Sequence, residues 1–164
     1  MATRKNFPRI AVVAALAASV AIVAIGWSAT ASSKAAARHA TSAATVQTKT
    51  LKKLGTVLVN SKGRTLYMFV PDKRKKVTCV KSCTVIWPPV KLPKGAKPVA
   101  AGKAKPSLLG SDPNPAGGRV VTYNGWPLYT YTADKKSGDA VGNDIKSFGA
   151  SWYALLPTGE NASG

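Results

Sequence analysis

The sequence holds one histidine, two cysteines and only six acidic residues, against 24 lysines and arginines. Each scarcity excludes a class of chemistry. A tetrahedral zinc site needs four ligands. Cys79 and Cys83 supply two, and the lone histidine, His39, lies in an alanine-rich stretch far from them. General acid–base catalysis asks for a carboxyl or imidazole with a partner. The single glutamate, Glu160, falls in a polar tail, and no histidine accompanies the aspartates. Glycine-rich phosphate loops and nucleophile elbows are also missing. These absences point away from an enzyme, and they imply no cofactor and no resident metal.

What is present begins with a targeting pattern. Arg4, Lys5 and Arg9 precede an uncharged apolar run from Ile10 to Trp27. A basic flank before such a run predicts an N-terminal hydrophobic helix that directs the rest of the chain out of the cytoplasm. Residues 1–31 therefore read as a signal peptide or a membrane anchor; Ala29 and Ala31 fit a small-residue cleavage site. Residues 32–50 have almost no large apolar side chain and read as a disordered linker. The net charge of +18 favours polyanions. For an exported chain that means anionic envelope polymers or a membrane surface, not a specific nucleic acid. The plainer reading is that lysine solubilises the surface. Oligomeric state leaves no mark on the sequence.

From residue 51 the pattern is that of strands, and 51–158 read as one all-β domain, with 159–164 as a tail. Strands are expected at 56–59, 64–70, 119–123, 126–132 and 152–156, with a short one at 98–101 inside an otherwise irregular connection over 91–118. Asn124-Gly125 is the preferred type I′ hairpin turn.

The domain is internally repeated. Gly63 to Lys73 aligns with Gly125 to Lys135 at an offset of 62, which places Leu58-Val59 on Val120-Val121. After a three-residue insertion, Cys83 to Trp87 aligns with Phe148 to Trp152. Repeat one spans about 54–90 and repeat two about 117–157. The expected architecture is two tandem hairpin repeats packed as a small sandwich or barrel-like unit.

Three motifs carry a family resemblance. Tyr67-x-Phe69-x-x-Asp72 recurs as Tyr129-x-Tyr131-x-x-Asp134. Cys79-x-x-x-Cys83-x-x-x-Trp87 is followed by two prolines. Lys135-x-x-Gly138-Asp139 leads to Phe148-Gly149-x-x-Trp152-Tyr153. Over about residues 54–158 the chain resembles the secreted-repeat family of predicted bacterial lipoproteins with a Yx(FWY)xxD motif. The resemblance implies an extracytoplasmic location, secreted or on the outer face of the cytoplasmic membrane, and a repeat architecture. It implies no chemistry. One departure is plain: no cysteine comes after the apolar run to accept a lipid.

Alternation in the first motif sends Tyr67 and Phe69 to one strand face and Leu66, Met68 and Val70 to the other. Tyr129 and Tyr131 repeat this. Such aromatics pack across strands or stack on a ring ligand. Asp72 and Asp134 fall past the strand ends, where a carboxylate accepts turn N–H groups. Trp87 and Trp152 are the aromatic anchors. Cys79 and Cys83, outside the cytoplasm, read as a disulfide; redox exchange, or Cu(I) binding with Met68, remains an alternative. Asp134, Asp139, Asn143 and Asp144 lack the spacing of a calcium loop. The reading is an exported, non-enzymatic envelope or secreted module that binds or builds, its ligand unspecified. The alternatives are a redox or copper accessory using Cys79 and Cys83, and a polyanion-binding adhesion module.

Overall fold

The computed structural model describes residues 43–72 and 75–163. The expected N-terminal helix and most of the expected linker lie outside these residues. Among the described residues no helix is long and apolar enough to cross a membrane.

The domain is all-β. Ten short strands run in the order β1 (Thr45–Leu51), β2 (Gly55–Asn60), β3 (Tyr67–Phe69), β4 (Lys91–Leu92), β5 (Val99–Ala100), β6 (Leu109–Pro113), β7 (Arg119–Tyr123), β8 (Trp126–Pro127), β9 (Ile145–Ser147) and β10 (Ala150–Ala154). A one-turn helix, α1 (Ser82–Ile86), lies just after the first cysteine, and a 3₁₀ turn (Pro106–Leu108) precedes β6. The strands form three small sheets, ordered β2-β1-β5, β3-β10-β9 and β4-β7-β6, with β8 also paired to β7.

Several boundaries differ from the sequence reading. The linker expected to reach residue 50 gives way to β1, which pairs antiparallel with β2 from Val46↔Asn60 to Leu51↔Gly55. Its alternating Thr, Val and Gln suit a pleated strand, and Val46 alone drives fully into the core. The connection over 91–118 holds, besides β5 where a short strand was expected, β4 and β6, which flank β7 and satisfy the backbone groups on its two edges; β5 itself pairs parallel with β1. The strand expected at 64–70 shrinks to β3 plus a bridge from Thr65 to Val59. That expected at 126–132 shrinks to β8 plus bridges at Tyr129. The tail is not free either: the Ala162 N–H bonds to Ala154 O at 2.8 Å, and Ala162 is buried.

Side-chain alternation builds two cores. Tyr67, Phe69, Trp87, Tyr129 and Trp152 enter one, with Cys79 and Cys83. Leu66, Met68, Leu58, Val121, Leu128 and Leu155 enter the other. The central segments are therefore buried on both faces.

The two repeats are intertwined. Leu58 N–H donates to Leu155 O (2.8 Å), Leu155 N–H to Leu66 O (3.1 Å), and Leu66 N–H to Leu58 O (2.9 Å), closing a ring of three. Val121 N–H to Val90 O (2.8 Å), Val90 N–H to Leu128 O (2.8 Å), and Leu128 N–H to Val121 O (2.9 Å) close its counterpart. Each ring joins the hairpin of one repeat to the terminal segment of the other. The midpoint is a bridge between Tyr67 and Tyr129, which exchange backbone bonds of 2.9 and 3.0 Å. These rings also correct the alignment: Leu58 corresponds to Val121, one residue later than a uniform offset of 62 gives. The turn after Asn60 is one residue longer than the Asn124-Gly125 turn, so the offset changes across it.

Candidate functional site

The motif residues converge on one place. Asp72 is buried just past the end of β3, and Asp134 is buried in the turn that follows the bridged segment around Tyr129. One oxygen of each accepts a loop N–H: Thr78 N–H reaches Asp72 Oδ1 at 2.7 Å, and Val141 N–H reaches Asp134 Oδ1 at 3.0 Å. The other oxygen faces across the pseudo-twofold axis. Tyr67 Oη donates to Asp134 Oδ2 at 2.7 Å, and Tyr129 Oη donates to Asp72 Oδ2. The aspartate that comes after each tyrosine in sequence thus serves the tyrosine of the other repeat. Gly142 N–H also approaches Tyr67 Oη, at 3.3 Å.

Burial pushes both phenols far above the usual tyrosine range, reinforced by the hydrogen bond and charge of the facing carboxylate. Burial likewise raises the Asp134 carboxyl, while the Tyr67 and Val141 bonds pull it back. These are strong, satisfied contacts among buried groups.

The face-to-face aromatic stacks obey the same exchange. Phe69 stacks on Trp152 with centroids 4.2 Å apart, and Tyr131 stacks on Trp87 at 4.1 Å. The two indoles stack on each other at 4.0 Å, inclined by only 3°. The four rings make one continuous column. Tyr67 meets Trp87 edge-on at 5.4 Å, and Tyr129 meets Trp152 edge-on at 5.2 Å. Of these six rings only Tyr131 is partly exposed. The indoles differ in one respect: Trp152 Nε1 donates to Ser147 O at 3.1 Å, whereas the buried Trp87 Nε1 has no partner among the described residues.

Cys79 and Cys83 are bonded to each other and buried in the aromatic core. Met68 belongs to the opposite core. The aspartate-bearing loop of repeat two is spent internally. Asp139 Oδ2 accepts the Lys135 and Lys136 N–H groups, which hold its carboxyl below the usual range. Asn143 Oδ1 accepts the Ala154 N–H. No group of three or more acidic, histidine or cysteine side chains gathers among the described residues.

Sequence reasoning singled out the tyrosines, aspartates and tryptophans. It missed Thr78, Val141 and Gly142, whose N–H groups complete the network. Gly142 carried the available signal: a Cβ there would lie 2.8 Å from Trp87 Cη2, so only glycine lets the loop approach the rings.

Fold and site together define a class: an all-β module of two intertwined repeats that complete each other's cores. The chain belongs to the family described as a secreted repeat of unknown function, whose model matches residues 48–91 and 113–155. It is accordingly an extracytoplasmic protein. Searches of curated proteins and of solved structures return no match.

Proposed function

We propose that this chain is a non-enzymatic envelope or secreted module that acts by binding, held near the cell by residues 1–31 or released when they are cleaved. The observation that carries this reading is the direction in which its ionisable groups face. The tyrosine–aspartate motif is buried, and its phenols and carboxylates are directed at one another instead of at a bound substrate. Asp112 is buried as well, accepting the Lys75 N–H at 2.6 Å. Half of the six acidic residues are thereby inside, while lysines such as Lys52, Lys53, Lys76, Lys91, Lys103 and Lys146 are exposed.

That imbalance favours an anionic polymer of the envelope, or an anionic membrane surface, as the ligand. The copper reading has less support, because the sulfurs are bonded and Met68 lies in the other core. Binding to inorganic polyphosphate, with neutral dextran as control, tests the proposal. Affinity that falls steeply with salt is expected. Absence of polyphosphate binding at low salt, or binding indifferent to salt, overturns it. The copper alternative requires free thiols, so two alkylated cysteines in unreduced protein would restore it.

A further inference from the structure

The column Phe69–Trp152–Trp87–Tyr131 is closed at one end and open at the other. Phe69 is buried, whereas Tyr131 lines a surface pocket of about 210 Å³ with Asn60, Arg64 and Thr132. Proton acceptors along the column are unevenly placed. Each edge-on phenol points its hydrogen at a buried carboxylate oxygen. Trp152 donates only to a neutral carbonyl, and Trp87 has no acceptor among the described residues. A tyrosine that loses an electron here has a base waiting for its proton. An indole that loses one has none.

We propose that this core conducts single oxidising equivalents, which enter at the Tyr131–Trp87 stack, pass along the indoles, and come to rest on Tyr67 or Tyr129. The oxidant is a one-electron radical of the peroxide class, met outside the cytoplasm. It takes one electron from the Tyr131–Trp87 stack and leaves a cation radical on Trp87. Tyr67 then gives one electron to Trp87. Its phenolic O–H bond breaks as an O–H bond forms on Asp134 Oδ2. The products are a restored indole, a neutral tyrosyl radical and a neutral carboxylic acid. Through Trp152, Tyr129 and Asp72 do the same. A small reductant of the thiol or hydroquinone class returns the electron, and the proton moves back to the phenol. Burial favours the step, because it replaces a buried cation radical and a buried carboxylate by uncharged groups.

Flash oxidation of the full chain with a ruthenium polypyridyl and persulfate, coupled to rapid-freeze electron paramagnetic resonance, tests this. The expected product is a neutral tyrosyl radical. It should be lost in the Tyr67→Phe/Tyr129→Phe double variant, which keeps both rings. In Asp72→Asn/Asp134→Asn a tryptophan radical should replace it. Circular dichroism verifies that each variant is folded. A parent that gives no tyrosyl radical overturns the proposal. So does a folded phenylalanine variant with the parent's tyrosyl yield and lifetime, since the radical would then sit on Tyr123, Tyr131 or Tyr153. Should the asparagine variant fail to fold, the phenylalanine pair decides alone.

Discussion

Tyr67 donates its phenolic hydrogen to Asp134 at 2.7 Å, a residue of the other repeat, and Tyr129 returns the arrangement to Asp72. A motif that recurs along the chain is thus completed only in space. The same crossing governs the ring stacks and the backbone rings, so one relationship organises the whole core.

Replacing either aspartate by asparagine should destabilise the fold. Each aspartate accepts a phenol and a loop N–H, and a hydrogen bond to a charged group contributes about 1.5–3 kcal/mol. In asparagine the amide nitrogen cannot accept, so one donor loses its partner. Asp72→Asn and Asp134→Asn should each lower the melting temperature by several degrees, at roughly 4 °C per kcal/mol for a domain of this scale. Calorimetry of the two variants checks it; melting curves like the parent's would mean the carboxylates are idle in folding.

The partnership itself is measurable by a double-mutant cycle. Tyr67→Phe with Asp134→Asn should be less harmful than the sum of the single changes, because both remove one bond. Tyr67→Phe with Asp72→Asn should be closer to additive. Tyr67→Ala should exceed either, about 3–5 kcal/mol, through the lost ring. Coupling stronger within a repeat than across repeats would contradict the crossed pairing.

Gly142 should tolerate no side chain. An added Cβ would stand 2.8 Å from Trp87 Cη2 and 2.9 Å from Tyr131 Cδ1. Overpacking of this kind costs about 1–3 kcal/mol, and Trp87 is held by the stack on Trp152. Gly142→Ala should therefore melt earlier and perturb the near-ultraviolet circular dichroism of the tryptophans. An unchanged spectrum and melting point would show that the loop can step back freely.

Alkaline pH should unfold the domain through two of its five tyrosines. In the unfolded chain tyrosine titrates near ~10. Burial beside a carboxylate raises Tyr67 and Tyr129 in the folded state. The native state then holds more protons above that pH, so the contribution is fully present below it and lost as pH rises further. Asp134 has the same sign in the acid range: its carboxyl is raised, so its contribution is present below ~3.9 and declines as pH rises through the folded value. Melting temperature measured against pH should fall steeply on the alkaline side, with two tyrosines ionising only as the protein unfolds. The Tyr67→Phe/Tyr129→Phe variant should flatten that fall.

Much of this was legible in the residues, and the remainder was hidden for physical reasons. Alternation in Leu66 to Val70 sorted side chains between two cores. Asn124 and Gly125 gave their turn, both with positive φ. β1 was hidden because its stability comes from a ladder with β2 and one buried valine, not from an apolar run. β6 contains glycine and ends in proline, and it is a strand because β7 needs a partner. The crossing was invisible for a deeper reason. Local spacing places Tyr67 five residues from Asp72, and nothing in an alignment of like with like says that each serves the other copy.

The crossing makes its sharpest claim about the repeats as pieces. Repeat one alone would carry a hairpin whose terminal partner, β10, belongs to repeat two. It would hold Asp72 without Tyr129, and Phe69 without Trp152. Repeat two alone would lack Val90, Trp87 and Asp72. Neither half has a closed core, and buried carboxylates without their donors are costly. The exposed Lys94-Gly95 turn offers a place to divide the chain, since it lies beyond β4 and before β5. Cut there, fragments 43–94 and 95–163 should each be unfolded by circular dichroism. Mixed, they should recover the β spectrum and the cooperative melt, now dependent on concentration because association replaces a tether. A fragment that folds and melts cooperatively by itself would mean that each repeat is sufficient and the exchanged contacts merely decorate it. Asp72→Asn in the first fragment should weaken the recovery, because its carboxylate reaches across the joint to Tyr129.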